Sequence, residues 1–351
     1  MCLLAELAYM QSPSAQMQQY IDGARTVAQA HQKKGPIARA NLAAASAAIM
    51  RREFAAAPDL ARTALELYRE IGDREGEAEA LERLATADAM LGQLDRAITT
   101  RDRAAQIFAD LGKRSGLGHL LFNASATKMQ LGLLHDAESS LTEALEIFEA
   151  LDNERGRAAC ASNLSMVRLL QGDAVEAKAL ALRSLEAARK LETTAIEAAA
   201  LSNLGNAERE LHEFAAALEH MQEAILLRER LGRPATFEEL ADYALTQLES
   251  GDIPCALDTA RTMLLQAETS EENTVWPHYC YWIAARVFRA AGDQKRAADL
   301  LVQAHSTMRA LEDAITEPAS RTAFVALAMN RLIRAAAERG EWPRTAGPAA
   351  V

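Results

Sequence analysis

LSNLGNAERELHEFAAA, residues 201–217, starts as a helix, breaks at His212 and resumes on three alanines. Its parts recur upstream and downstream at a nearly fixed distance. Tight-turn residues fall at Arg52, Gly92, Gly132, Gly172, His212, Gly251 and Gly292, at intervals of 40, 40, 40, 40, 39 and 41. Five residues beyond each stands an alanine: Ala57, Ala97, Ala137, Ala177, Ala217, Ala256 and Ala297. Seven before each comes a small residue, namely Ala45, Ala85, Ser125, Ser165, Gly205, Ala244 and Ala285. A third series, mostly alanine, runs Ala64, Ala104, Ala144, Ser184, Ala224, Met263 and Ala304. Small side chains at fixed spacing mark places where two helices cross closely, because a larger group there overpacks at a cost of about 1–3 kcal/mol.

A second set of turns lies about twenty residues on, at Ile71-Gly72, Leu111-Gly112, Leu151-Asp152, Leu191-Glu192 and Leu231-Gly232. Each unit is therefore helix A, turn, helix B, turn, and glycine suits turns that end a helix on a left-handed residue. The composition agrees. The 351 residues are alanine- and leucine-rich and only 5% aromatic, with 17 glycines and 9 prolines, which suits helices rather than strands.

The pattern resembles the tetratricopeptide (TPR) family, whose motif places small residues once on helix A and twice on helix B, with glycine and an apolar residue at the turn. Gly92-Gln93-Leu94, Gly132-Leu133-Leu134 and His212-Glu213-Phe214 carry the turn. The period departs from the common 34 residues, helix A lacks an early tryptophan, and most units lack a closing proline. The resemblance implies an all-α, TPR-like right-handed α-solenoid of about eight helix-turn-helix repeats with a C-terminal capping helix. Residues 1–35 are expected to form a truncated or divergent first hairpin, 36–315 seven repeats, 316–339 the capping helix and 340–351 a disordered tail. A chain that starts inside helix A suggests an abridged start or a fragment of a longer protein, since solenoid ends need a polar cap. The closing segment, with Arg321, Phe324, Asn330 and Arg331, is similar to the end of TPR regions in large bacterial transcriptional activators and adenylate-cyclase-linked signalling ATPases. The chain has no GxxxxGK[ST] loop and no helix-turn-helix signature.

A formal net charge of -11 repels a phosphate backbone, so no direct nucleic-acid partner is expected. Cys2, Cys160, Cys255 and Cys280 are scattered without a CxxC pair, which fits reduced thiols in cytosol. The apolar start MCLLAELAYM carries Glu6 and no basic region, so it does not read as a signal peptide. No apolar run approaches the roughly 18–20 residues of a membrane span. A cytoplasmic protein without membrane association is expected.

In a TPR array the A helices line the concave groove, and Asn123, Asn163 and Asn203 share one position in three successive A helices. An amide offers a donor and an acceptor, as an extended peptide backbone requires, and the resemblance implies that such asparagine ladders grip peptides. Arg83 and Asp242 continue the column, and Thr86, Met90, His119, Phe122, Met166, Asn206 and Glu210 face the same way by register. The alternative is that each amide bonds to the adjacent repeat and stiffens the stack; Phe122 leans to core. Trp276, His278, Cys280 and Trp282 read as packing, because residues two apart on a helix diverge and no further ligand falls at metal spacing. Glu143, Glu146 and Glu149 read as a solvated outer face. No catalytic residue, metal or cofactor is expected. The expectation is a non-enzymatic scaffold for a protein or peptide segment. The alternative is the sensor portion of a bacterial regulator that detects a small molecule or partner, its effector module lying N-terminal to this chain.

Overall fold

The structure, a computed structural model, describes residues 33–51, 53–232, 234–269 and 275–343, with Gly23 and Thr26 besides. The expected first hairpin, most of it, and the last eight residues of the expected tail lie outside these, as does Arg52 in the turn series. The chain divides into two compact units, Met1–Thr127 and Lys128–Val351.

Unit 1 holds α1 (Lys34–Met50), α2 (Ala57–Ile71), α3 (Arg74–Met90), α4 (Leu94–Asp110) and most of α5 (Arg114–Gln130), within which the boundary falls. Unit 2 continues with α6 (Leu134–Ala150), α7 (Glu154–Gln171), α8 (Ala174–Lys190), α9 (Thr194–Glu210), α10 (Phe214–Arg230), α11 (Phe237–Glu249), α12 (Ile253–Thr269), α13 (Pro277–Ala290) and α14 (Gln294–Ala314). Two short helices close it, α15 (Pro318–Ala326) and α16 (Ala328–Arg339). From α1 to α14 the odd-numbered helices are A helices and the even-numbered are B helices. The described residues are thus all-α, built of antiparallel helical hairpins of the TPR type.

The recurring small residues are the contact points. All seven alanines that follow the turns are at most 2% exposed, and the serines in the other series, Ser125, Ser165 and Ser184, are fully buried. A buried hydroxyl needs a partner. Ser165 donates to the Ala177 carbonyl at 2.7 Å and Ser184 to the Ala158 carbonyl at 2.8 Å, each tying an A helix to a B helix. At Gly205 even a methyl is too much, since a Cβ there would stand 2.6 Å from Met221 Cγ and 3.0 Å from the Ala217 carbonyl oxygen. The turns follow the predicted backbone. Gly92, Gly132, Gly172, Gly251 and Gly292 are left-handed, and so are His212, Asp152 and Glu192, which carry side chains there at a cost. Helix starts are fixed by local acceptors: Asp73, Asn153, Asp173 and Asp293 each cap the following helix, and Thr236 forms a capping box with Glu239.

A second repeat escaped the sequence reading. Tyr68, Phe108 and Phe148, forty residues apart on B helices, lie flat against Gly76, Gly116 and Gly156 of the next A helix. A Cβ at Gly156 would meet the Phe148 ring at 2.6 Å. In unit 1 this aromatic layer joins Leu42, Leu65, Leu81, Ile107 and Leu120 in one core.

Two expectations for the C-terminus need correction. The segment 316–339 is not one helix: Leu327, with φ -54° and ψ 135°, leaves the helical region and separates α15 from α16. Nor is residue 340 the start of a loose tail. Trp342 stacks on Trp282 with ring centroids 5.2 Å apart, and the Arg289 guanidinium lies 4.5 Å from its ring.

Candidate functional site

The A helices carry the candidate residues, and the structure sorts them into tied and open groups. In unit 1, Asn123 Nδ2 donates to Glu82 Oε1 at 2.8 Å, reaching from α5 back to α3. Glu82 Oε1 also accepts from Thr86 at 3.2 Å, and Arg101 of α4 reaches Glu82, Thr86 and Thr127. Glu82 and Arg101 are buried, so this is a closed network joining three helices. Arg83 is half-buried and makes no hydrogen bond or ion pair among the described residues; His119 is exposed.

In unit 2, Asn203 is 7% exposed, and its Nδ2 donates to the carbonyl and hydroxyl of Ser162 at 2.8 and 3.0 Å. That bond runs from α9 to α7 over 41 residues, the same offset that joins Asn123 to Glu82. Both amides therefore make the inter-repeat bond of the stiffening alternative, with their oxygens still available as acceptors. Asn163 differs: it is half-buried, and it forms no hydrogen bond among the described residues. Met166 is half-buried on the same helix, and Glu210 is exposed at the end of α9.

Below Glu210 lies a network that the sequence reading met only in part. Asp242 of α11 accepts from Asn206 Nδ2 at 2.8 Å and from the Tyr279 hydroxyl at 2.6 Å, linking α9, α11 and α13. Burial raises the Asp242 pKa, against the pull of those two hydrogen bonds and Arg209. Burial and the facing Asp242 push the Tyr279 phenol well above its usual value. Arg209 and Arg286 both donate to Glu249 at 3.1 Å, and Arg209 also pairs with Glu210 at 2.7 Å. Burial opposes the Arg209 charge, but Tyr279, Glu210, Glu249 and Asp242 outweigh it and strengthen its hold on the proton. The Asn206 Oδ1 and Arg209 Nε are buried without a partner among the described residues. Asn206, Asp242 and Glu210 were legible by register. Arg209, Glu249, Tyr279 and Arg286 were not, although Glu249 lies 40 residues beyond Arg209 and Arg286 a further 37 beyond Glu249.

His278, Cys280 and Trp282 are packing, at 1%, 5% and 1% exposure, with His278 between Trp276 and Phe324 at ring distances of 6.0 and 5.9 Å. Burial lowers the His278 pKa to about 4. Glu143, Glu146 and Glu149 are exposed. Among the described residues no cluster of His, Cys, Asp and Glu could hold a metal ion, and no helix is long and apolar enough to cross a membrane.

Comparison with known proteins agrees with this architecture. A tetratricopeptide repeat model matches residues 117–190. No curated protein matches the sequence. Among solved structures, a Rap protein complexed with competence and sporulation factor superposes with a TM-score of 0.62 at 14% identity, covering 92% of this chain and 98% of that one. NprR in complex with its cognate peptide NprX gives a TM-score of 0.62 at 14% identity, over 82% and 84% of the two chains. BtubC (BKLC) from P. vanneervenii gives 0.52 at 23% identity, over 62% and 91%. At these identities the likeness is one of fold. The described residues have the tetratricopeptide fold, and residues 117–190 carry its sequence signature.

Proposed function

We propose that the chain is a non-enzymatic scaffold that binds a protein or peptide segment along the A helices, and that in unit 2 the contact centres on Asn163. The observation that carries this is the contrast within one register: Asn203 is buried and bonded to the preceding A helix, while Asn163 keeps a free amide, both donor and acceptor. Met166 offers an adaptable apolar contact beside it, and the exposed Glu210 adds a polar group at the end of α9. NprR in complex with its cognate peptide NprX, and a Rap protein complexed with competence and sporulation factor, both on the same fold, support the class of ligand. Asn123 and Asn203 take a supporting role, holding successive A helices in register.

The experiment is selection from a displayed peptide library on the intact chain, repeated with Asn163→Ala. Peptides enriched by the wild type should lose binding to the variant while the melting temperature stays the same. Enrichment that survives Asn163→Ala undiminished refutes the assignment.

A further inference from the structure

The A helices α9, α11 and α13 and the closing helix α16 leave a cavity of about 410 Å³ between them, all within unit 2. Its size is in the range of small-ligand sites. Its apolar lining comes from Leu245 and Ile283 on the A helices and from Met329 and Leu332 on α16. Pro343 lines it too, and the Trp342–Trp282 stack holds the segment after α16 in place there.

Two guanidiniums, those of Arg209 and Arg286, line the same cavity, and the charges around them are not evenly placed. The Arg209 and Arg286 side chains are 12% and 10% exposed, whereas Glu249, which both share, is 22% exposed and Glu210 is 50% exposed. The counter-charges thus lie toward solvent, where screening weakens them. Donors also outnumber acceptors. Each guanidinium has five N–H groups, and Glu249 spends one oxygen on each arginine. Arg209 Nε is buried with no partner among the described residues, and N–H groups of both guanidiniums stay unmatched. Asp242 supplies none, because its oxygens already accept from Asn206 and Tyr279.

A ligand that satisfies both kinds of lining has an anionic oxygen pair for the guanidiniums, whose planar fork suits a carboxylate, and an apolar body for the aliphatic side chains. We propose that this cavity binds a small carboxylic acid with an aromatic or branched apolar body, the carboxylate on Arg209 and Arg286 and the body against Leu332 and Ile283. The assignment does not depend on peptide binding at Asn163.

The test is calorimetric titration of the full chain with indole-3-propionate and, in parallel, with indole-3-propionamide, which keeps the body and removes the charge. The acid should bind with a dissociation constant below about 1 mM and the amide about tenfold more weakly. Arg286→Gln should weaken the acid by about tenfold and leave the amide unchanged. Leu332→Trp, which fills the body side, should weaken both alike. Melting curves confirm that each variant is folded, and either variant alone suffices to probe the cavity. Absence of heat with the acid up to about 10 mM, equal binding of acid and amide, or folded variants that bind as the wild type does would each overturn the assignment. Loss of peptide capture by Asn163→Ala leaves this result untouched, so the two readings fail separately.

Discussion

Two buried arginine clusters, one in each unit, are built from the same chemistry and come out differently. In unit 1, Arg101 is enclosed by Glu82, Thr86 and Thr127, and Glu82 is completed by Asn123 and Thr86; the side chains of the ion pair are 4% and 9% exposed. In unit 2, Arg209 and Arg286 share Glu249, leave donors unused and face a cavity. A closed network of charges fixes how helices meet but has no capacity left for a ligand. An incomplete one beside open volume gives up some stability and keeps that capacity. Position in the array does not separate the two; the count of donors against acceptors does.

That contrast is broken most directly at Arg101. Arg101→Ala leaves Glu82 buried without its cation and should cost about 3–5 kcal/mol, read as a fall in the urea midpoint. Arg286→Ala should cost only about 1–2 kcal/mol, since Glu249 keeps Arg209. Equal losses would erase the distinction. Acid should separate the units by another route. The folded His278 pKa is about 4, against an ordinary 6.5, because burial disfavours the charged ring. The unfolded chain takes up that proton first, so stability is complete above about pH 6.5 and falls by about 3 kcal/mol as pH drops to about 4. Unfolding followed by Trp282 and Trp342 fluorescence should show the loss, and His278→Phe should flatten the curve over that window.

Much of this was readable from the period alone. A backbone crossing demands a small side chain whatever else surrounds it, so Ala97 or Ala217 reveals the hairpin without any knowledge of its neighbours, and both prove fully buried. Polar residues are different, because their role depends on what stands opposite. The register put Asn123, Asn163 and Asn203 in one column, but only the structure shows that Glu82 and Ser162 occupy two of the three amides. Arg101 belongs to none of the recurring series, and Trp342 falls within the expected tail 340–351. The capping helix failed for the same reason: Leu327 carries no local sign of a break, which comes from the non-helical backbone it takes between α15 and α16.

Within the asparagine column the expected effects are smaller. Asn203→Ala removes the two bonds to Ser162 in a buried site and should cost about 1–3 kcal/mol, while Asn163→Ala should stay within about 0.5 kcal/mol. A stability loss at Asn163 as large as at Asn203 would make both structural.

A small effect of the opposite sign concerns the turns. The turn residues after α2, α3 and α4 are Gly72, Gly92 and Gly112, whereas unit 2 mixes glycines such as Gly132 and Gly172 with Asp152, Glu192 and His212 at corresponding left-handed positions. A side chain there costs about 1–2 kcal/mol, and glycine returns part of that gain through the greater freedom of its unfolded chain. Glu192→Gly should therefore raise stability by about 0.5–1 kcal/mol in denaturant unfolding. Glu192 makes no ion pair among the described residues, so little is lost with the side chain. A fall in stability would mean that the Glu192 side chain has an interaction of its own in this turn.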